Sequence, residues 1–211
     1  MMAATSAERG EETRARLYEA AVRLIVKEGW GAVTTRKVAA QAGLRPGLVH
    51  YHFSTVTDLL VDASLRAVRR EVEQLLEMLA GASQGPEGVG QVMAGLAAYS
   101  VDQDAAVLST EMILAATRNE RLRAGLTDLL GRWRSAVAGW LAANGNTQDS
   151  DGTALLMGAA IDGLLLHRMI DPRLAEVRLE GPLQRLLGLP LGPAPSDPEG
   201  SGRPASGPAP G

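Results

Sequence analysis

The chain has 211 residues, 45% of them hydrophobic but only 3% aromatic, and a net charge of −3. That length fits one large domain or two small ones, with a core of Leu, Ala, Val and Met rather than rings. The absence of cysteine excludes disulfides and thiolate metal sites.

Residues 1–10 hold no apolar stretch of the kind a secretory signal needs. They are expected to form a disordered arm, and the protein is expected to be cytoplasmic. A first helix is predicted over residues 11–28. Leu17, Ala21, Leu24 and Ile25 make its buried stripe at i, i+4, i+7 and i+8. Gly29 ends it, and Trp30 and Val33 can fold back onto a small core.

Residues 33–53 are the most informative stretch. Thr34 or Thr35 can cap a short helix whose apolar face is Val38, Ala39 and Ala42. Gly43 follows where a helix end favours a left-handed residue without a Cβ, and Leu44 can plug the turn. Pro46 suits a first helical position, having no N–H to leave unpaired. Val49 and Phe53, four apart, share the inward face of a second helix. Arg45, Gly47, Leu48, His50 and Tyr51 are left pointing outward. This is the shape of a helix-turn-helix, and a polar, aromatic helix of two turns fits the major groove of DNA. A buried three-helix unit would account for Val38, Ala39, Val49 and Phe53. It would not account for His50, Tyr51 and His52 in series, because one helix cannot bury three consecutive large polar side chains.

The next helix, a long one, is predicted from the capping box Thr55-Val-Thr-Asp58. Its stripe, from Leu59 and Leu60 through Val68 and Val72 to Leu79, is long enough to leave the first core and enter another. Residues 81–90, with four glycines and Pro86, break the pattern. Two or three further helices are expected over 91–143, with a break at 118–120. Residues 144–152 read as a polar loop.

Residues 153–170 hold 12 apolar residues and two glycines among 18. The segment is at the short limit for a membrane span and contains Asp162, His167 and Arg168, so that reading is rejected. A helix apolar on nearly all sides must be covered on nearly all sides. One face can meet its own domain and another a second subunit. Asp171-Pro172 ends it. Leu174, Val177, Leu179, Leu183, Leu186 and Leu187 predict a last helical element. The tail, 191–211, is dominated by Pro, Gly, Ala and Ser and is expected to be disordered.

Catalytic and metal chemistry is sparse. Gly81-Ala-Ser-Gln-Gly85 matches Gly-x-Ser-x-Gly, but a nucleophile elbow needs a strand before it, and a helix is predicted there. No phosphate loop and no His-Glu-x-x-His helix occur. The three histidines, at 50, 52 and 167, are scattered, so no metal, no cofactor and no enzymatic activity is expected. A small-molecule pocket is expected in the second part of the chain. Its candidates are Met93, Leu96, Tyr99, Glu111, Met112, Trp133, Met157, Asp162 and His167, apolar walls with a few polar anchors. Charge is uneven. Residues 9–70 hold 11 Lys and Arg against 6 Asp and Glu, a net +5, and the remainder carries −8. A basic module on an acidic body suits contact with phosphates at one end.

Thr34-Thr35-Arg36-Lys37-Val38-Ala39, Ala42-Gly43-Leu44 and Val49-His50-Tyr51-His52-Phe53 resemble the DNA-binding domain of the tetracycline-repressor (TetR) family of transcriptional regulators. The close match covers roughly residues 13–62. The resemblance implies an all-α protein: a three-helix DNA-binding domain over 11–54, then an effector-binding and dimerisation domain over 55–190. It implies DNA contacts by Thr34, Thr35, Arg36, Arg45, Pro46, Gly47, Leu48, His50, Tyr51 and His52. Thr35 would hold a phosphate and Arg36 a phosphate or guanine. Arg45, Gly47 and Leu48 would lie against base edges, and His50 and Tyr51 against the backbone. It further implies a homodimer, joined as a four-helix bundle by the helices of about 153–188, that reads a palindromic operator and responds to a small-molecule effector. One departure stands out. The family usually carries a lysine three residues after the aromatic that closes the motif, and this chain has Val56. The alternative is a small-molecule-binding helical dimer without conventional operator binding.

Overall fold

The computed structural model describes residues 6–83, 85–99, 102–146 and 148–189. Among these the chain is entirely helical, with no strand. The order is α1 (Ser6–Glu28), a 3-10 turn (Trp30–Ala32), α2 (Thr35–Ala42), α3 (Pro46–His52), α4 (Val56–Gly81), α5 (Pro86–Tyr99) and α6 (Gln103–Ala116). Then come α7 (Glu120–Ala143), α8 (Ser150–Ile170), a second 3-10 turn (Pro172–Glu176) and α9 (Glu180–Leu186).

Local chemistry sets most boundaries. Thr34 caps α2, its side chain accepting the Lys37 N–H at 3.4 Å. Gly43 closes α2 at φ +65°, a conformation in which any Cβ is strained. Thr55 and Asp58 form a reciprocal capping box at the head of α4, at 3.0 and 3.1 Å. Asn119 caps α7 through Leu122 N–H at 2.9 Å, at the expected break.

Three expectations are corrected. Ser6 to Gly10 are not a disordered arm but the first turns of α1. Ala7, Glu8 and Arg9 are good helix formers, Glu8 suits the positive helix start, and the Thr13 hydroxyl donates to Arg9 O at 2.8 Å. Residues 1–5 lie outside the described residues. The 81–90 break is shorter than expected, because α5 begins at Pro86, at a helix start where proline is tolerated. Gly88 belongs inside it: a Cβ there would lie 1.7 Å from Ser83 O. Finally, residues 174–187 are not one helix. They divide into the second 3-10 turn and the two turns of α9, with Val177 and Leu186 exposed. Leu183 and Leu187 are buried, and α9 packs against α5 of its own chain. The tail from residue 190 lies outside the described residues.

One continuous hydrophobic core runs through the molecule. Helix α4 joins its two halves. Leu59 and Leu60 lie near its start, and Val68 and Val72 lie further along among the helices of the second half. Helices α1 and α7 pack along it. The carboxylates of Asp58 and Asp62 on α4 hold Arg121 of α7.

By length and composition α8 could cross a membrane. Its Arg168 is instead turned inward, only 5% exposed, with Nε donating to Leu174 O at 3.3 Å. Ala154, Met157, Ile161 and Leu165 share that inner stripe. The outer side leaves Leu155, Leu156, Leu166 and Ile170 exposed, Leu156 by 66% and Ile170 by 84%.

Candidate nucleic-acid interface and ligand cavity

Helices α2 and α3 rest on α1 through Val38, Ala39, Ala42, Val49 and Phe53, all buried. Phe53 is held from two sides. Tyr18 meets it edge-on, with centroids 5.6 Å apart, and the Arg14 guanidinium lies 5.6 Å over its ring. Apolar contact together with an aromatic pair and a cation over a ring fixes the end of α3 more firmly than apolar burial alone. A further clamp was not legible in the sequence. Arg16 of α1 donates to Ala42 O at 2.6 Å, pinning the turn between the two helices from 26 positions away.

On that scaffold the expected DNA-contacting residues are mostly exposed. Arg36, Arg45, Pro46, Gly47, Leu48, His50 and Tyr51 are exposed, Tyr51 by 81%. Thr34 is exposed at the head of α2 and Thr35 half-buried beside it. Arg45 precedes α3 without a side-chain cap bond, so its guanidinium is not committed to the helix. A Cβ on Gly47 would meet nothing within 4 Å, so the α3 backbone is open to close approach there. His52 is half-buried, with its ring between Tyr51 (5.0 Å) and Phe53 (6.4 Å). Lys37 is committed elsewhere, to Glu28 at 2.6 Å and Ala32 O at 2.8 Å. Val56 is half-buried and packs on the core.

A model of bacterial regulatory proteins of the tetR family matches residues 17–63, and one of the tetracyclin repressor-like C-terminal domain matches 82–189. The chain belongs to the TetR family. It is 27% identical over 171 residues to the HTH-type transcriptional regulator PksA of Bacillus subtilis, spanning 77% of this chain and 81% of that one. It is 28% identical over 133 residues to CymR of Pseudomonas putida, spanning 63% and 65%. In fold it is similar to a regulator from Saccharomonospora viridis solved in complex with choline. The TM-score is 0.72 at 22% identity, over 84% of this chain and 96% of that one. This TetR-family protein is therefore a helix-turn-helix, DNA-binding transcriptional regulator.

Its second half holds a cavity of about 130 Å³ between α4, α5, α6, α7 and α8, open to solvent beside Ile113, Leu130 and Asp162. Four of the nine expected pocket residues line it: Leu96, Met112, Trp133 and Asp162. The others do not. Met93 and Met157 are fully buried core residues. His167 is exposed on α8 and outside the lining. Glu111 points the other way and accepts a hydrogen bond from Trp30 N–H at 2.7 Å. The side chain of Tyr99 lies outside the described residues. Sequence reading missed Glu71, Ser109 and Gly158. Only Gly158 left a signal, as a glycine inside an apolar helix, and the structure shows its reason. A Cβ there would lie 2.9 Å from the Trp133 ring, so the indole packs directly on the α8 backbone.

Asp162 sits where the cavity meets an outer groove between α6 and α8. It keeps solvent access in the single chain, yet Ile113, Leu165 and Leu166 crowd that groove. Loss of solvation raises its carboxyl above the ordinary value of 3.8.

Proposed function

We propose that the protein is a repressor that holds a palindromic operator as a homodimer until a small molecule enters the second-domain cavity. The observation that carries this reading is the continuity of α4. Leu59 and Leu60 are buried near its start, while Val68, Val72 and Leu75 line the cavity. From Leu59 to Leu75 the helix rises about 24 Å. A ligand that favours a different tilt of α4 changes the spacing of the two α3 helices, which must lie ~34 Å apart to meet successive half-sites. The ligand must bind the two states with different affinity to act this way.

In this reading Thr35, His50 and Tyr51 bind phosphates. Arg36, Arg45, Gly47 and Leu48 face base edges. The homodimer pairs the outer face of α8, with Leu155, Leu156, Leu166 and Ile170 covered by a second copy. Helix α9 is too short to add a full second bundle helix. Placement in the cytoplasm, where DNA is available, belongs to the same reading.

The test is a fluorescence-anisotropy titration of the promoter region of its own gene, across a salt series, with and without ligands of the cavity. A single protected palindrome whose affinity falls on ligand addition supports the reading. DNA affinity unaltered by every ligand that binds the cavity overturns the release mechanism. A second reading, a ligand-binding dimer without conventional operator binding, is favoured by Val56, which packs inward where a lysine would meet a phosphate. Equal affinity for promoter and random DNA would select it.

A further inference from the structure

The charged groups that line the cavity are of one sign among the described residues. Glu71 of α4 and Asp162 of α8 approach it from opposite helices, Ser109 adds a hydroxyl, and Trp133 supplies an aromatic wall. No Lys, Arg or His lines it among the described residues. The charged Arg168 of α8 is turned away, toward Leu174 O. Asp162 has no hydrogen-bond or ion-pair partner among the described residues. The space, about 130 Å³, is close to the ~150 Å³ of an apolar cavity that accepts benzene.

We infer that the cavity selects a small organic cation, an ammonium with apolar substituents, held between the Glu71 and Asp162 carboxylates and against the face of Trp133. Two carboxylates beside an apolar lining repel an anion and offer a neutral guest no electrostatic attraction. A cation is attracted to both carboxylates, and an indole face adds to that attraction. A compact metal ion is a poorer fit, since it needs a fuller set of oxygen ligands than this apolar lining offers. An ammonium that keeps its alkyl groups against Val72, Leu75 and Leu126 needs only the charge and the ring. The choice also bears on signalling. Glu71 is on the helix that joins the two halves and Asp162 on the helix with the exposed apolar face, so one cation draws on both.

This inference rests on the cavity being the effector site, and the test separates the two. The full-length protein is titrated with phenyltrimethylammonium, with its neutral isostere tert-butylbenzene, and with 3-phenylpropanoate. Binding is followed by ligand-observed NMR and, in parallel, by anisotropy of labelled promoter DNA. The cation is expected to bind about tenfold or more tighter than the isostere. Asp162→Asn and Glu71→Gln should each remove several-fold of that preference. Equal binding of cation and isostere, tighter binding of the carboxylate, or no binding of any probe overturns the inference. The wild-type comparison does not depend on either variant folding. If the cation binds selectively but DNA is not released, the ligand class stands and the release mechanism fails. If the neutral or anionic probe releases the DNA, release stands and the cationic class fails.

Discussion

The Glu111 carboxylate accepts a hydrogen bond from the backbone N–H of Trp30 at 2.7 Å, across 81 positions of sequence. Glu111 is on α6, whose Ser109 and Met112 line the cavity. Trp30 opens the turn that follows α1. A hydrogen bond to a charged acceptor contributes ~1.5–3 kcal/mol, and this one ties a cavity wall to the DNA-binding half. Gly29 beside it has φ +83°, and a Cβ there would lie 3.5 Å from the same carboxylate.

Glu111→Ala should therefore lower unfolding free energy by about 1–3 kcal/mol in urea denaturation. In the anisotropy titration, the ligand-free variant should bind DNA nearly as well as wild type, while the ligand-induced loss of affinity shrinks. Wild-type coupling in the variant would show that the contact is only structural.

Arg36 and Tyr51 separate base reading from phosphate contact. Arg36→Ala should cost about 1–3 kcal/mol on the operator and much less on random DNA. Tyr51→Ala should weaken both alike. Equal losses for Arg36→Ala on the two DNAs rule out base reading by that side chain.

Gly158→Ala places a methyl where the Trp133 ring now lies, at 2.9 Å. The indole must shift into the cavity. The variant should lose about tenfold or more in cavity-ligand affinity, at a stability cost of ~1–3 kcal/mol for overpacking. Calorimetric titration and thermal unfolding read the two separately.

Leu156→Asp tests the outer face of α8. Burying one leucine contributes ~1.5–3 kcal/mol, and an isologous interface counts the change twice. The dimer dissociation constant should rise by about a hundredfold or more in sedimentation equilibrium. An unaltered dimer would place the interface elsewhere.

Asp162 sets a pH dependence. Its folded-state pKa is raised by lost solvation, so the ionised form is disfavoured in the folded protein. The penalty is absent below the ordinary value of 3.8. It grows as pH rises from there through the folded value, then stays constant. Asp162→Asn should raise the melting temperature at pH 7 and leave it little changed near pH 3. Equal effects at both pH values would trace the gain to packing rather than charge.

The sequence by itself determined the local elements. Thr34, Gly43, Pro46 and the Thr55–Asp58 box act within a few residues of themselves, so the helix-turn-helix and the start of α4 are legible from spacing. So is the outward face from Arg45 to Tyr51, because α3 is too short to bury what it shows. The limits of α1 and α5 were less legible, since marginal helical turns depend on contacts that propensity does not contain. The cavity required the tertiary structure. Glu111 and Asp162 look alike in the chain, each a carboxylate on an apolar helix, and only the packing of α6 against α1 turns one toward Trp30. Met93 and Met157 match Met112 in character, yet they fill core while Met112 lines space. The last helix shows the same division. Its leucines suit a bundle, but Leu183 and Leu187 are buried in a chain that packs α9 on its own α5, and the outer face of α8 is left exposed. Short-range hydrogen bonding and backbone sterics are written into neighbouring residues. Which face of a helix is covered, and by what, is decided by helices far away in the sequence.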